Sequence, residues 1–132
     1  MTRILVVEDE PYIQTMICKV LTKLGGYDVT ITEDVEQGLD LARSGTVALV
    51  VMDVSLANSA YQGEYIDGLA FTRLLKADLT ARAVPVLLAT AHALPGDAER
   101  LRAACNADGY IAKPFVEPKE LVEKVRGMLN GR

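Results

Sequence analysis

The amino-acid sequence predicts an α/β fold, a parallel sheet covered by helices on both faces, and three observations predict it. Short apolar runs alternate with longer segments of helical spacing through five successive β-α units. Residues 47–52 are apolar almost without a break, as a central strand buried on both faces requires. The length, 132 residues, suits one domain built around one core.

Taken in order, Ile4-Leu5-Val6-Val7 is the first strand, too short and too β-branched for a helix. Residues 11–24 follow, with Ile13, Met16, Ile17, Val20, Leu21 and Leu24 at helical spacing, and Gly25-Gly26 stops the helix. Residues 27–31 alternate in character, which suits an edge or half-covered strand. A helix over 34–43 carries Val35, Leu39 and Ala42 on one stripe and ends at Ser44-Gly45. After the central strand, residues 54–66 are polar, small and aromatic by turns and read as a loop. Residues 67–77 return to helical spacing through Leu69, Ala70, Leu74 and Leu75. The fourth strand, 84–89, is opened by Pro85, which is tolerated at a strand start. Residues 98–105 form the fourth helix, 110–112 a short fifth strand and 118–129 the last helix. The crossovers of such a sheet are right-handed. Its ligand site lies outside the carboxyl ends of the strands.

Composition narrows the function. Half the residues are apolar and 24% are charged, as in an ordinary globular protein. A net charge of -4 and the lack of any basic run argue against direct nucleic-acid binding. No stretch has the length of a membrane span or the pattern of a signal peptide, so a cytoplasmic location is expected. Cys18 and Cys105 lack metal-ligand or redox spacing and are expected to be two small buried thiols.

The chemistry-bearing residues stand where the fold places ligands. Glu8 and Asp9 follow the first strand, Asp53 the third, Thr90 the fourth and Lys113 the fifth. The second strand ends in Thr32-Glu33 and adds nothing clear, as expected at a sheet edge. Three carboxylates at one rim repel each other unless a cation neutralises them. Hard oxygen ligands describe a Mg²⁺ site completed by phosphate oxygens. A carboxylate beside that metal can attack a phosphoryl group and form an aspartyl phosphate. The lysine can pair with the phosphoryl oxygens and the threonine hydroxyl can donate to one. Each element also has a plainer explanation. Glu8-Asp9-Glu10 before Pro11 also suits acidic capping of a helix N-terminus, and Thr90 alone is uninformative. Asp53, ending a buried strand, is harder to explain away.

The stretches Ile4 to Glu10, Val50-Val51-Met52-Asp53, Pro85 to Ala91 and Gly109-Tyr110-Ile111-Ala112-Lys113-Pro114-Phe115 resemble a bacterial response-regulator receiver domain of the CheY-like kind. The likeness runs from Arg3 to about Leu129 and implies a stand-alone receiver over residues 1–132. It implies a flavodoxin-like (βα)5 fold with strand order 2-1-3-4-5. By position, Asp53 is the phospho-acceptor, and Glu8, Asp9 and Asp53 hold Mg²⁺ together with the main-chain carbonyl of Ser55. Thr90 is the switch hydroxyl, Lys113 the phosphate-pairing cation, Tyr110 the switch aromatic, and the Lys113–Pro114 bond is cis.

The resemblance further implies a sensor histidine kinase or histidine phosphotransfer protein upstream. A downstream effector would bind the face of the fourth helix, fifth strand and fifth helix, near Glu99, Arg102, Tyr110, Lys119 and Glu120. With no output domain expected, the protein acts as a phospho-acceptor switch, as a monomer or a phosphorylation-dependent dimer. Its own catalysis is limited to phosphoryl transfer and slow autodephosphorylation.

Two rivals share the sheet. An aspartate-nucleophile phosphatase needs a second aspartate two residues after the first, where Ser55 stands. A flavodoxin-like electron carrier needs a phosphate loop where Glu8-Asp9-Glu10 would repel phosphate. A degenerate docking receiver is opposed by the intact acidic, hydroxyl and lysine set.

The chain departs from the family after Asp53. The usual turn proline is missing, and the matching glycine, Gly68, comes late, behind an insertion at 58–66 with Tyr61, Glu64 and Tyr65. Such a loop is tolerated surface, a flap beside the site, or a patch that selects the partner; partner selection is the expectation. His92, two residues past Thr90, is expected to be an exposed loop residue.

Overall fold

The computed structural model describes residues 2–56, 60–91, 96–113 and 117–130, without the side chains of Asp97 and Ala98. In chain order its elements are β1 (Arg3–Val7), α1 (Pro11–Lys23), β2 (Asp28–Thr32), α2 (Val35–Arg43), β3 (Leu49–Asp53), β4 (Ala60–Tyr61), β5 (Glu64–Tyr65), α3 (Gly68–Ala77), a 3₁₀ turn (Ala81–Ala83), β6 (Val86–Thr90), α4 (Asp97–Cys105), β7 (Gly109–Ala112) and α5 (Pro118–Asn130). Five strands make one sheet in the order β2-β1-β3-β6-β7, with every pairing parallel. This is the expected order 2-1-3-4-5, because among the described residues β4 and β5 pair only with each other.

Strand pleating explains the two covered faces. Leu5 and Val7 of β1, Val50 and Met52 of β3, and Val86 and Leu88 of β6 share a buried cluster with Val35 and Leu39 of α2 and Phe71 and Leu75 of α3. Their alternate neighbours Ile4, Val6, Leu49, Val51, Leu87 and Ala89 meet Ile17 and Leu21 of α1 and Leu121 and Val125 of α5. Every residue of β3 and β6 is buried, as the unbroken apolar runs require.

Several boundaries differ from expectation for identifiable reasons. Asp34 and Asp67 stand outside their helices as N-caps, accepting from Glu36 and Ala70 main-chain N–H groups at 2.9 and 2.8 Å. Each such cap stabilises by about 1 kcal/mol. Asp53 and Thr90 belong to their strands and do not merely follow them. Pro85 lies before β6 and contributes only its carbonyl, which accepts from Val50 N–H at 2.9 Å. The second strand does not alternate: four half-buried residues precede buried Thr32, as befits an edge overlain by helices. Cys18 is half-exposed, contrary to expectation, because it falls beside the Ile17, Val20 and Leu21 stripe of α1; Cys105 is buried.

The segment 54–66 is not wholly a loop. Ala60 pairs with Tyr65 and Tyr61 with Glu64 in a tight hairpin. Its turn residues Gln62 and Gly63 have φ of 53° and 84°, the left-handed pair that matches the twist of adjoining strands. Gln-Gly is a weaker turn signal than Asn-Gly, and two-residue strands show no periodicity, so the hairpin is silent in the sequence. Residues 58 and 59 of the insertion lie outside the described residues. Tyr61 packs against the cluster beneath α2 and α3, so the hairpin leans on that side of the sheet.

Gly68 opens α3 where the helix meets the end of β3. Its N–H donates to the Val54 carbonyl at 3.0 Å, and a Cβ here would sit 1.9 Å from the Asp53 carbonyl oxygen. That contact is with backbone and cannot be relieved by a side-chain rotation. Gly127 of α5, by contrast, has nothing within 4 Å of its would-be Cβ. Gly68→Ala is therefore expected to destabilise by about 3 kcal/mol or more, and Gly127→Ala to stabilise by roughly 0.5–1 kcal/mol. Urea unfolding of both variants checks the pair.

Candidate functional site

Sheet register carries the strand ends to one rim. Val7 pairs with Met52, Asp53 with Ala89 and Thr90 with Ala112. Main-chain bonds extend the ladders one residue further: Glu8 N–H to Thr32 carbonyl at 3.2 Å, Val54 N–H to Ala89 carbonyl at 3.0 Å, and Lys113 N–H to Thr90 carbonyl at 2.7 Å. The backbones of Glu8, Asp53, Thr90 and Lys113 are thus fixed before their side chains are considered.

Glu8, Asp9 and Asp53 offer carboxylate oxygens that all lie within 4.8 Å of one another. Glu8 is 1% exposed and Asp53 4%, while Asp9 is half-buried. The Lys113 ammonium lies between the two buried groups, donating to Glu8 Oε1 at 3.1 Å and Asp53 Oδ1 at 3.0 Å. Glu8 Oε2 also accepts from Glu10 N–H at 3.2 Å, and Asp53 Oδ1 from Ser55 N–H at 3.1 Å. Asp53 is therefore buried but not isolated.

Burial, with the nearby Asp53 carboxylate, pushes the Glu8 carboxyl up to about 7 despite the attraction of Lys113. Burial works against the Lys113 charge, but Asp53 and Glu8 outweigh it and raise the ammonium above its ordinary value. With all groups ionised, three carboxylates and one ammonium leave two negative charges in excess. A divalent cation with hard-oxygen preference fits that donor set and would remove the repulsion that burdens Glu8.

Capping and chemistry are divided within the acidic triplet. Glu10 is the N-cap of α1, accepting from Ile13 N–H at 2.8 Å, with Pro11 at the first helical position. Glu8 and Asp9 are left for the rim. Thr90 is fully buried at the end of β6. Tyr110 pairs with Leu88, one pleat below Thr90, and is half-buried. Ser55 is exposed. On the α4–β7–α5 side, Glu99, Lys119 and Glu120 are exposed, and Arg102 is half-buried with its guanidinium 3.4 Å from Glu99. His92, Pro114 and Phe115, and with them the expected cis bond, lie outside the described residues.

Two participants escaped the sequence reading. Gly68 was visible as the displaced turn glycine, but its contact with the Asp53 carbonyl was not. Tyr65 donates its hydroxyl hydrogen bond back to the Leu56 carbonyl, three residues past the central aspartate. The sequence signals only that two tyrosines occur in a short insertion.

Comparison with known proteins agrees with this geometry. Residues 4–126 match the family model described as the response regulator receiver domain. The chain is 35% identical over 128 residues to the phosphate regulon transcriptional regulatory protein PhoB of Klebsiella pneumoniae, covering 96% of this chain and 51% of that one. It thus spans about half the length of that relative. It is 30% identical over 129 residues to the polar-differentiation response regulator DivK of Brucella ovis, covering 98% of each. Among solved structures, the receiver domain of the sensor histidine kinase PA1611 of Pseudomonas aeruginosa, with a magnesium ion coordinated in its active site cleft, superposes with a TM-score of 0.79. That match has 33% identity and covers 99% of this chain and 98% of that one. A putative response regulator from Chloroflexus aurantiacus gives 0.81 at 28% identity, covering 98% of each. The parallel sheet, the rim and the match over 4–126 place the chain in the family of response regulator receiver domains, the phosphorylation-dependent signalling units of two-component systems.

Proposed function

We propose that Asp53 is the phospho-acceptor of this receiver and that residues 1–132 act as one switch unit. The reading is carried by one observation: a half-buried ammonium shared between the buried carboxylates of Glu8 and Asp53, with Asp9 within reach of both. An Asp53 oxygen forms the new P–O bond while the P–N bond of a phosphohistidine donor breaks. The electron pair goes to the imidazole nitrogen, which takes up a proton. The donor is a sensor histidine kinase or a histidine phosphotransfer protein. In the product, Lys113 pairs with a phosphoryl oxygen in place of the lost carboxylate charge.

Mg²⁺ would be held by Glu8, Asp9, Asp53 and the Ser55 carbonyl, and when bound it neutralises the oxygens that gather charge during transfer. The Thr90 hydroxyl donates to the phosphoryl group, and Tyr110 turns inward as Thr90 moves. Phosphorylation thereby biases an existing two-state equilibrium. The readout is an effector protein on the face of α4, β7 and α5, whose strand carries Tyr110 and ends at Ala112, next to Lys113. Water slowly returns Asp53 to its free state.

Acetyl phosphate or a small phosphoramidate with Mg²⁺ should add one phosphoryl group to the protein and none to Asp53→Asn. Intact-mass spectrometry reads this, and an equal gain in both would remove Asp53 as acceptor.

Mg²⁺ binding should also depend on pH through Glu8. A carboxyl raised from 4.5 to about 7 favours the fold when protonated, so this contribution is present below pH 4.5 and lost as pH rises through about 7. Metal needs the ionised form, so affinity should climb between pH 5 and pH 7 and then level off. Titrations followed by NMR should show that climb in wild type, a flatter profile in Glu8→Gln, and weak binding throughout in Asp9→Ala. Unchanged binding in Asp9→Ala would exclude the site.

A further inference from the structure

The hairpin inserted after Asp53 ends in a tyrosine whose hydroxyl is not idle. Tyr65 is 62% exposed, yet its hydroxyl donates to the main-chain carbonyl of Leu56. Leu56 itself is fully buried in the cluster that contains Phe71 and Leu75. Between Asp53 and Leu56 three main-chain groups are held. Val54 donates to the Ala89 carbonyl and accepts from Gly68, each at 3.0 Å, and Ser55 N–H donates to Asp53 Oδ1 at 3.1 Å. The peptide group joining Ser55 to Leu56 carries the Ser55 carbonyl. The Ser55 N–H bond holds the peptide before it, and the Tyr65 bond to the Leu56 carbonyl, with the buried Leu56 side chain, holds the one after it.

We propose that Tyr65 is a positioning residue for the phosphorylation site: its hydroxyl, through Leu56, orients the Ser55 carbonyl toward the cation held by Glu8, Asp9 and Asp53. This inference rests on the proposed Mg²⁺-dependent phosphorylation of Asp53. It gives the insertion a role in the chemistry itself, beyond partner selection. A small rotation of one peptide plane moves its oxygen out of the ideal octahedral position that Mg²⁺ demands, so a bond remote from the ion is felt as affinity. By linkage, metal binding must in turn tighten the hold of Tyr65 on Leu56. A partner that pulls the hairpin away would weaken the metal site by the same factor.

Removing the hydroxyl in Tyr65→Phe deletes one neutral hydrogen bond and leaves the ring. Loss of such a bond corresponds to roughly 3- to 10-fold in an equilibrium constant. The expected results are Mg²⁺ binding weaker by about that factor, faster amide exchange at Ser55 in metal-free protein, and slower phosphorylation by acetyl phosphate at low Mg²⁺ that recovers at high Mg²⁺. Far-UV circular dichroism confirms that the variant is folded at the assay temperature. Tyr65→Ala should reproduce the Tyr65→Phe loss. Wild-type Mg²⁺ affinity and Ser55 exchange in Tyr65→Phe would overturn the inference, and so would impairment confined to Tyr65→Ala, since the ring and not the hydroxyl would then matter. Failure of the underlying reading looks different: wild type itself would take up no phosphoryl group on Asp53.

Discussion

The Lys113 ammonium between Glu8 and Asp53 is the interaction on which the rest of the site depends. Both carboxylates are almost wholly withdrawn from water, and Asp9 lies within ligand distance of them. Without an internal cation this arrangement would cost far more than a surface cluster, because desolvation and like-charge repulsion add. The lysine relieves only part of the burden. Glu8 still sits near 7, so a negative excess remains built into the folded rim. That balance gives enough compensation to fold and leaves a negative field that suits a divalent cation.

The backbone supplies the precision. Parallel register aligns the ends of β1, β3, β6 and β7, and one further main-chain bond past each of Val7, Asp53 and Ala112 pins Glu8, Val54 and Lys113. Glu10 and Pro11 start α1 at once, so the acidic pair runs from the end of β1 straight into a capped helix. At the next crossover Gly68 lets α3 begin against the Asp53 carbonyl. A side chain there would displace the strand end that carries Asp53.

The family likeness accounts for the rim but not for the hairpin after Asp53. That segment adds a polar tether from Tyr65 to Leu56 and a hydrophobic one from Tyr61 to the cluster under α2 and α3. The two tethers make the insertion part of the folded body on the described side of the loop.

By itself the sequence determined the alternation of strands and helices, the central strands, and the convergence of Glu8, Asp9, Asp53, Thr90 and Lys113. These follow from local signals: apolar runs, helical stripes and the rule that parallel sheets bring strand ends together. Helix starts were misplaced by one residue at Asp34 and Asp67, because a cap carries no periodicity of its own. Tertiary structure alone decided the hairpin, since two-residue strands and a Gln-Gly turn give no pattern to read. It alone decided that Cys18 is half-exposed, that Lys113 is shared between two carboxylates, and that Gly68 and Tyr65 bear on the loop after Asp53. Each of those depends on the distance between segments far apart in the chain, which sheet register and helix packing set and which no local pattern encodes.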